Sequence, residues 1–146
     1  MADLVTLIAV LACALFAGAA IYINLVEHPA RLSCGTQIAA TQWAPSYKRA
    51  TLMQASLALV AGIAGLTRWL QSGRATWLLG ALAILAVVPV TLIVIFPTNK
   101  KLLEPGRDLA STETRALLIV WGRLHAIRSV LSLIASVLFT WAAMRE

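Results

Sequence analysis

His125 and Arg128 stand three residues apart in an otherwise apolar run that begins at Leu117, and together they are equipped for proton chemistry. A neutral histidine can take a proton from an acidic carbon or a phenol, and a nearby guanidinium can stabilise the oxyanion left behind. An arginine at the centre of a membrane helix costs roughly 2.5–3.5 kcal/mol on insertion scales, so such residues face a protein interior or a wet cavity. Trp121, His125, Arg128 and Ser132 recur at helical spacing and therefore share a face. Arg123 lies on a different face, from which its long side chain can reach the membrane surface.

The elements that carry these residues follow from composition and run length. The chain has 146 residues, is 60% hydrophobic and only 12% charged, with mean hydropathy +0.85. That is too little polar surface to clothe a soluble globule. Crossing a hydrocarbon core of about 30 Å takes about 20 apolar residues as helix. Four runs suffice: 4–26, 50–69, 77–96 and 117–144. They lack the alternation of strands, so residues 1–146 are expected to form one all-α domain, an integral membrane four-helix bundle. The first run has Asp3 and no basic residue before it, unlike a signal peptide, and is expected to be a retained helix.

Four spans put both termini on one side and residues 27–49 and 97–116 on the other. The basic residues divide unevenly, with Arg31, Lys48, Arg49, Lys100, Lys101, Arg107 and Arg115 on the two-loop side against Arg68, Arg74 and Arg145. The positive-inside rule then makes the two loops cytoplasmic and both termini external. The net charge of +6 fits anionic lipid headgroups, and no basic stripe with interleaved aromatics suggests nucleic acid. Trp43, Trp69, Trp77 and Trp121 fall where an aromatic belt is expected. Small residues at four-residue spacing, Ala14/Gly18, Ala58/Gly62 and Ala61/Gly65, predict close helix contacts. Pro89 predicts a kink in the third span, and Pro29 predicts that the first helix stops at His28. Cys13 and Cys34 are too differently placed to form a mutual disulfide. A short interfacial helix is expected after Asp108, and nothing fixes an oligomeric state.

With this topology all four spans bring polar groups to the two-loop end. Glu27, His28, Asn99, His125 and Arg128 form the expected cluster, with Asn24, Tyr47 and Trp121 around it and Gln54 a turn inside the second span. Two chemistries compete there. One is base catalysis by His125, and the other is a metal held by His28, His125 and Glu27. The two histidines and one carboxylate lack a local ligand-spacing motif. No P-loop, nucleotide fingerprint, CxxC or serine elbow is present.

The segment Phe96-Pro97-Thr98-Asn99-Lys100-Lys101-Leu102, followed by Trp121-Gly122-Arg123-Leu124-His125-Ala126-Ile127-Arg128, resembles the anthrone oxygenase-like membrane proteins. The small-rich first helix ending in residues 24–31 is similar to that family's opening. The resemblance implies a small oxidoreductase, in a bacterial inner membrane, that oxidises an aromatic or quinol-like substrate with dioxygen and no cofactor. It implies His125 as the base and Arg128 with Asn99 as stabilisers of an enolate. Asn24, Glu27, His28, Tyr47 and Trp121 would bind substrate. The alternative is a non-enzymatic protein that binds a metal ion, haem or lipid through His28 and His125, or a structural accessory subunit.

Overall fold

The computed structural model describes residues 2–145, all of whose regular structure is helical. In chain order, α1 (Ala2–Tyr22) passes through a π-helical segment (Ile23–Glu27) into α2 (His28–Ser33), and α3 (Thr36–Ser72) follows. Next come α4 (Ala75–Leu85), α5 (Val87–Pro89), a second π-helical segment (Val90–Ile95) and α6 (Phe96–Leu102), before α7 (Thr112–Ala143). Joined end to end they give four helices long and apolar enough to cross a membrane: Leu4–Ser33, Thr36–Ser72, Ala75–Leu102 and Thr112–Ala143. The apolar runs read from the sequence lie within these longer rods, apart from a single residue at the end of the fourth.

Two departures share one physical cause. Proline lacks an N–H, and its ring collides with the carbonyl four residues back. Ahead of Pro29 and Pro97 the chain does not stop but widens. The His28 N–H bonds the Ile23 carbonyl and the Phe96 N–H bonds the Thr91 carbonyl, each five residues back. The wider turn leaves the proline ring room beside the Leu25 or Ile93 carbonyl, and the helix resumes with proline in its first turn. His28 therefore keeps helical angles, φ −68° and ψ −44°, and the expected helix end at this residue is corrected. Pro89 leaves the Leu85 carbonyl without its helical partner, and the α pattern of the third span is interrupted at the single residue Ala86.

Most of the expected loop 27–49 is also helix. The reversal is confined to Cys34 and Gly35, where Gly35 takes φ 93°, and α3 runs on through Pro45. The second connection is a tight turn closed by Gly73 in the left-handed conformation, whose N–H bonds the Trp69 carbonyl. No helix forms between Asp108 and Ser111; instead Ser111 caps α7 by accepting from the Thr114 N–H at 3.1 Å.

Two apolar clusters hold the bundle. One gathers Cys13, Phe16, Trp77, Ile84 and Phe139 with alanines of α1, α3 and α4. The other, toward the two-loop end, gathers Ile23, Trp43, Ile95, Leu118 and Trp121. Ala58/Gly62 and Ala61/Gly65 face inward as expected: a Cβ on Gly62 would run into Leu85, and one on Gly65 into Phe139. Ala14 and Gly18 are exposed, so the close face of α1 is Ala9, Ala12, Cys13, Phe16 and Ala20 instead. Trp43, Trp77 and Trp121 are buried between helices rather than set in a belt, whereas Trp141 is exposed. Leucines such as Leu4, Leu25, Leu52, Leu70 and Leu92 cover the outside, a surface suited to lipid. Cys13 and Cys34 are both free.

Candidate functional site

A polar layer separates the two apolar clusters, and α7 supplies most of it. Trp121, His125, Arg128, Ser129 and Ser132 all turn inward, the face that the spacing predicts, while Arg123 is exposed. The first span grips this face with two side chains one turn apart. His28 Nε2 lies 2.8 Å from the Leu118 carbonyl, and Asn24 Nδ2 donates to the Gly122 carbonyl at 2.8 Å. Gly122 makes this approach feasible, since a Cβ there would stand 2.7 Å from Cδ2 of His28.

These bonds assign the proton on each ring. The Gly122 carbonyl only accepts, so Asn24 turns its Nδ2 to it and its Oδ1 the other way. That Oδ1 lies 2.7 Å from His125 Nδ1 and also accepts from Ser129 Oγ at 2.7 Å. His125 Nδ1 must then be the donor, and in the neutral ring Nε2 is left with its lone pair. Among the described residues nothing hydrogen-bonds that Nε2, and His125, 2% exposed, lines a small internal cavity. By the same reasoning His28 carries its proton on Nε2, which leaves its buried Nδ1 without a partner.

The cavity is about 10 Å³, space for one water. Its walls include Arg31, Ser46, Tyr47, Gln54, Trp121 and Arg128 around His125. Trp121 lies between the two histidine rings, with centroids 5.0 Å from His28 and 4.9 Å from His125, and Tyr47 stacks on Trp43. Arg128 donates to Gln54 Oε1 at 2.7 Å and lies over the Phe16 ring, 5.4 Å from its centroid. Among the described residues no carboxylate pairs with it. A buried guanidinium balanced by only a neutral amide and a ring face has unused capacity for an anion.

The eight residues singled out from the sequence separate here. His125, Arg128, Tyr47 and Trp121 line the cavity, and Asn24 orients His125. His28 braces α7, and Glu27 lies outside the cavity lining, pairing with Arg31 at 2.5 Å while accepting from Ser46 and Gln42 at 3.1 Å. Asn99 is fully buried, yet it does not line this cavity and neither end of its amide has a protein partner. His28, His125 and Glu27 do not gather as ligands; among the described residues no three His, Cys, Asp or Glu side chains are placed to hold a metal ion. The residue that sequence reasoning missed is Arg31, counted there as a loop charge. Its signal was the four-residue spacing from Glu27, which pairs only if the helix continues past Pro29.

The family model for anthrone oxygenase matches residues 43–138. The chain belongs to that family. The match contains Tyr47, Gln54, Trp121, His125 and Arg128, and it leaves Asn24 and Arg31 outside. An anthrone oxygenase from Claviceps purpurea is 31% identical over 110 residues, 67% of this chain and 63% of its own. Anthrone oxygenase tpcL from Aspergillus fumigatus is 36% identical over 72 residues, 47% of this chain and 45% of its own. The alignments thus span about half to three-fifths of these curated relatives. No solved structure matches.

Proposed function

We propose that this protein oxidises a lipophilic aromatic carbon acid of anthrone type with dioxygen. The observation that carries this reading is the His125 ring: its Nδ1–H is committed to Asn24, its Nε2 has no hydrogen-bond partner among the described residues, and the ring lines a cavity that Arg128 also lines without a carboxylate. Nε2 takes a proton from the activated CH₂ of the substrate, and the charge moves to the ring oxygen, where Arg128 stabilises it. Asn99 has no place on this cavity, so Gln54 and Arg31 stand nearer to the developing charge.

The electron-rich carbon then bonds to dioxygen and, with a proton, becomes a hydroperoxide. Loss of its remaining C–H proton expels the outer oxygen as hydroxide, protonated to water, and leaves a carbonyl. One oxygen atom enters the product, the other leaves as water, and the substrate supplies all four electrons. Oxygen uptake with anthrone tests the reading, using purified protein and the variants His125→Ala and His125→Gln. Turnover lost in both, with helix content and melting temperature retained, supports His125 as the base; turnover retained in either sinks it.

We also infer that the two-loop end is cytoplasmic. Arg31 and Arg107 are spent on ion pairs with Glu27 and Glu104. Lys48, Arg49, Lys100, Lys101 and Arg115 remain exposed at that end, against Arg74 and Arg145 at the other.

A further inference from the structure

A cleft of about 140 Å³ lies on the other side of Arg128, between α3 and the broken third span. It opens beside the interruption at Ala86. At Gly62 the two helices are in contact through Leu85, but past Ala86 the third span packs mainly on α7. One turn earlier in α3 the gap opens, between Ala55 and Ala58 on one wall and Val87, Val88 and Leu92 on the other. Leu92 and Val88 are exposed on the lipid-facing side, so the mouth of the cleft is toward the bilayer.

The inner end is polar. Arg128 is 8% exposed and Gln54 1% exposed, and both line this cleft as well as the His125 cavity. Arg128 Nε and Gln54 Nε2 are buried donors with no partner. A cationic side chain with no carboxylate partner among the described residues, beside an amide at the inner end of an apolar slot, describes a complement to a ring that carries one ionised or ionisable oxygen. A cavity of about 150 Å³ takes a benzene-sized molecule, so this one accepts a single ring and leaves the remainder of a larger molecule among the lipids.

We propose that this cleft is the binding site for a lipophilic phenol or enol drawn laterally from the membrane, its oxygen directed to Arg128 and Gln54 and its ring between Ala55 and Val88. The inference rests on the oxidase reading above and adds to it the side of approach and the residues that select the substrate. The slot and the His125 cavity adjoin at Arg128 and Gln54, which line both, so a ring at the inner end of the slot lies beside the base.

The test measures binding of 2-naphthol and of 2-methylnaphthalene to protein in liposomes by equilibrium dialysis, with empty liposomes subtracted. Ala55→Phe fills one wall and Val88→Trp the other, and neither residue touches His125. Expected is tighter binding of 2-naphthol than of 2-methylnaphthalene, and a loss of about tenfold in 2-naphthol affinity in either variant, the size of effect a changed apolar pocket gives. Undiminished 2-naphthol binding in both folded variants overturns the proposal. So does equal affinity for the two probes, which marks a slot for lipid chains alone. His125→Ala separates the two readings: if it keeps turnover while the cleft variants lose binding, the base assignment fails and the cleft stands.

Discussion

Gly122 and His28 compete for one space: a side chain on the first would stand 2.7 Å from Cδ2 and 2.9 Å from Nε2 of the second. The contact lies where the first span and α7 are pinned, between the Leu118 and Gly122 carbonyls that accept from His28 and Asn24. A missing Cβ on α7 is thereby linked to the orientation of the ring proposed as the base, one helical turn away.

Gly122→Ala should push His28 off the Leu118 carbonyl and destabilise the protein by about 1–3 kcal/mol, the usual cost of overpacking. Gly18→Ala, which meets nothing within 4 Å, should be neutral or stabilising by a few tenths of a kcal/mol to about 1 kcal/mol. Thermal unfolding of both in the same detergent checks the difference, and equal melting temperatures would count against the tight contact.

Asn24→Leu removes the acceptor that fixes the His125 tautomer while roughly keeping side-chain volume. Turnover should fall about 10- to 100-fold, as for other outer-shell partners of a functional histidine, without the full loss expected of His125→Ala. Steady-state oxygen uptake with anthrone separates the two; identical rates for wild type and Asn24→Leu would remove Asn24 from the mechanism.

Arg128→Met and Gln54→Leu each leave the other's polar group buried and bare. A double-mutant cycle on unfolding should return a coupling energy of about 0.5–3 kcal/mol, because the two residues share one hydrogen bond. Strict additivity would mean that the 2.7 Å contact contributes nothing.

Elemental analysis and an absorption spectrum of wild type, His28→Ala and His125→Ala address the competing cofactor reading. With His28 Nε2 on the Leu118 carbonyl and His125 Nδ1 on Asn24, the expected outcome is no stoichiometric metal or haem in any of the three. A metal or haem band present in wild type and lost in either variant would favour the binding protein over the oxidase.

Cys34 is exposed at the two-loop end, whereas Cys13 is buried in the bundle. A membrane-impermeant maleimide should therefore label Cys34 in inside-out vesicles and leave it untouched in intact cells. The reverse pattern would invert the orientation inferred from the charges.

The membrane bundle and the inward face of α7 were legible because they depend on run length and on a period of 3.6, both written in one stretch of chain. Trp121, His125, Arg128 and Ser132 could be placed together without knowing any neighbour. Their partners were harder to place, since the His125 ring is oriented by a residue 101 positions away. Arg31 was lost for a different reason: reading Pro29 as a helix end discarded the turn that pairs it with Glu27. The tryptophans misled because an indole is at home both at a headgroup and inside a bundle, and only packing decides. For Asn99 the sequence placed a polar group at the right end of the molecule, but burial left its amide without a hydrogen-bond partner among the described residues and outside the His125 cavity.

The two π segments have a geometric meaning beyond making room for proline. A residue added to a helix turn rotates everything after it by about 100° relative to an unbroken α-helix. In the first span the added residue falls at Ile23–Glu27, so His28 and Arg31 are presented from a rim that a regular helix would have aimed elsewhere. In the third span the same offset at Val90–Ile95 carries Ile95 and Asn99 inward. Deleting one residue from either segment would close the wide turn and leave the azimuth of the two-loop half unchanged, but it would return Pro29 or Pro97 to a clash with the carbonyl four residues back. The working end of this bundle is thus indexed by backbone count, as a key is by the depth of its cuts.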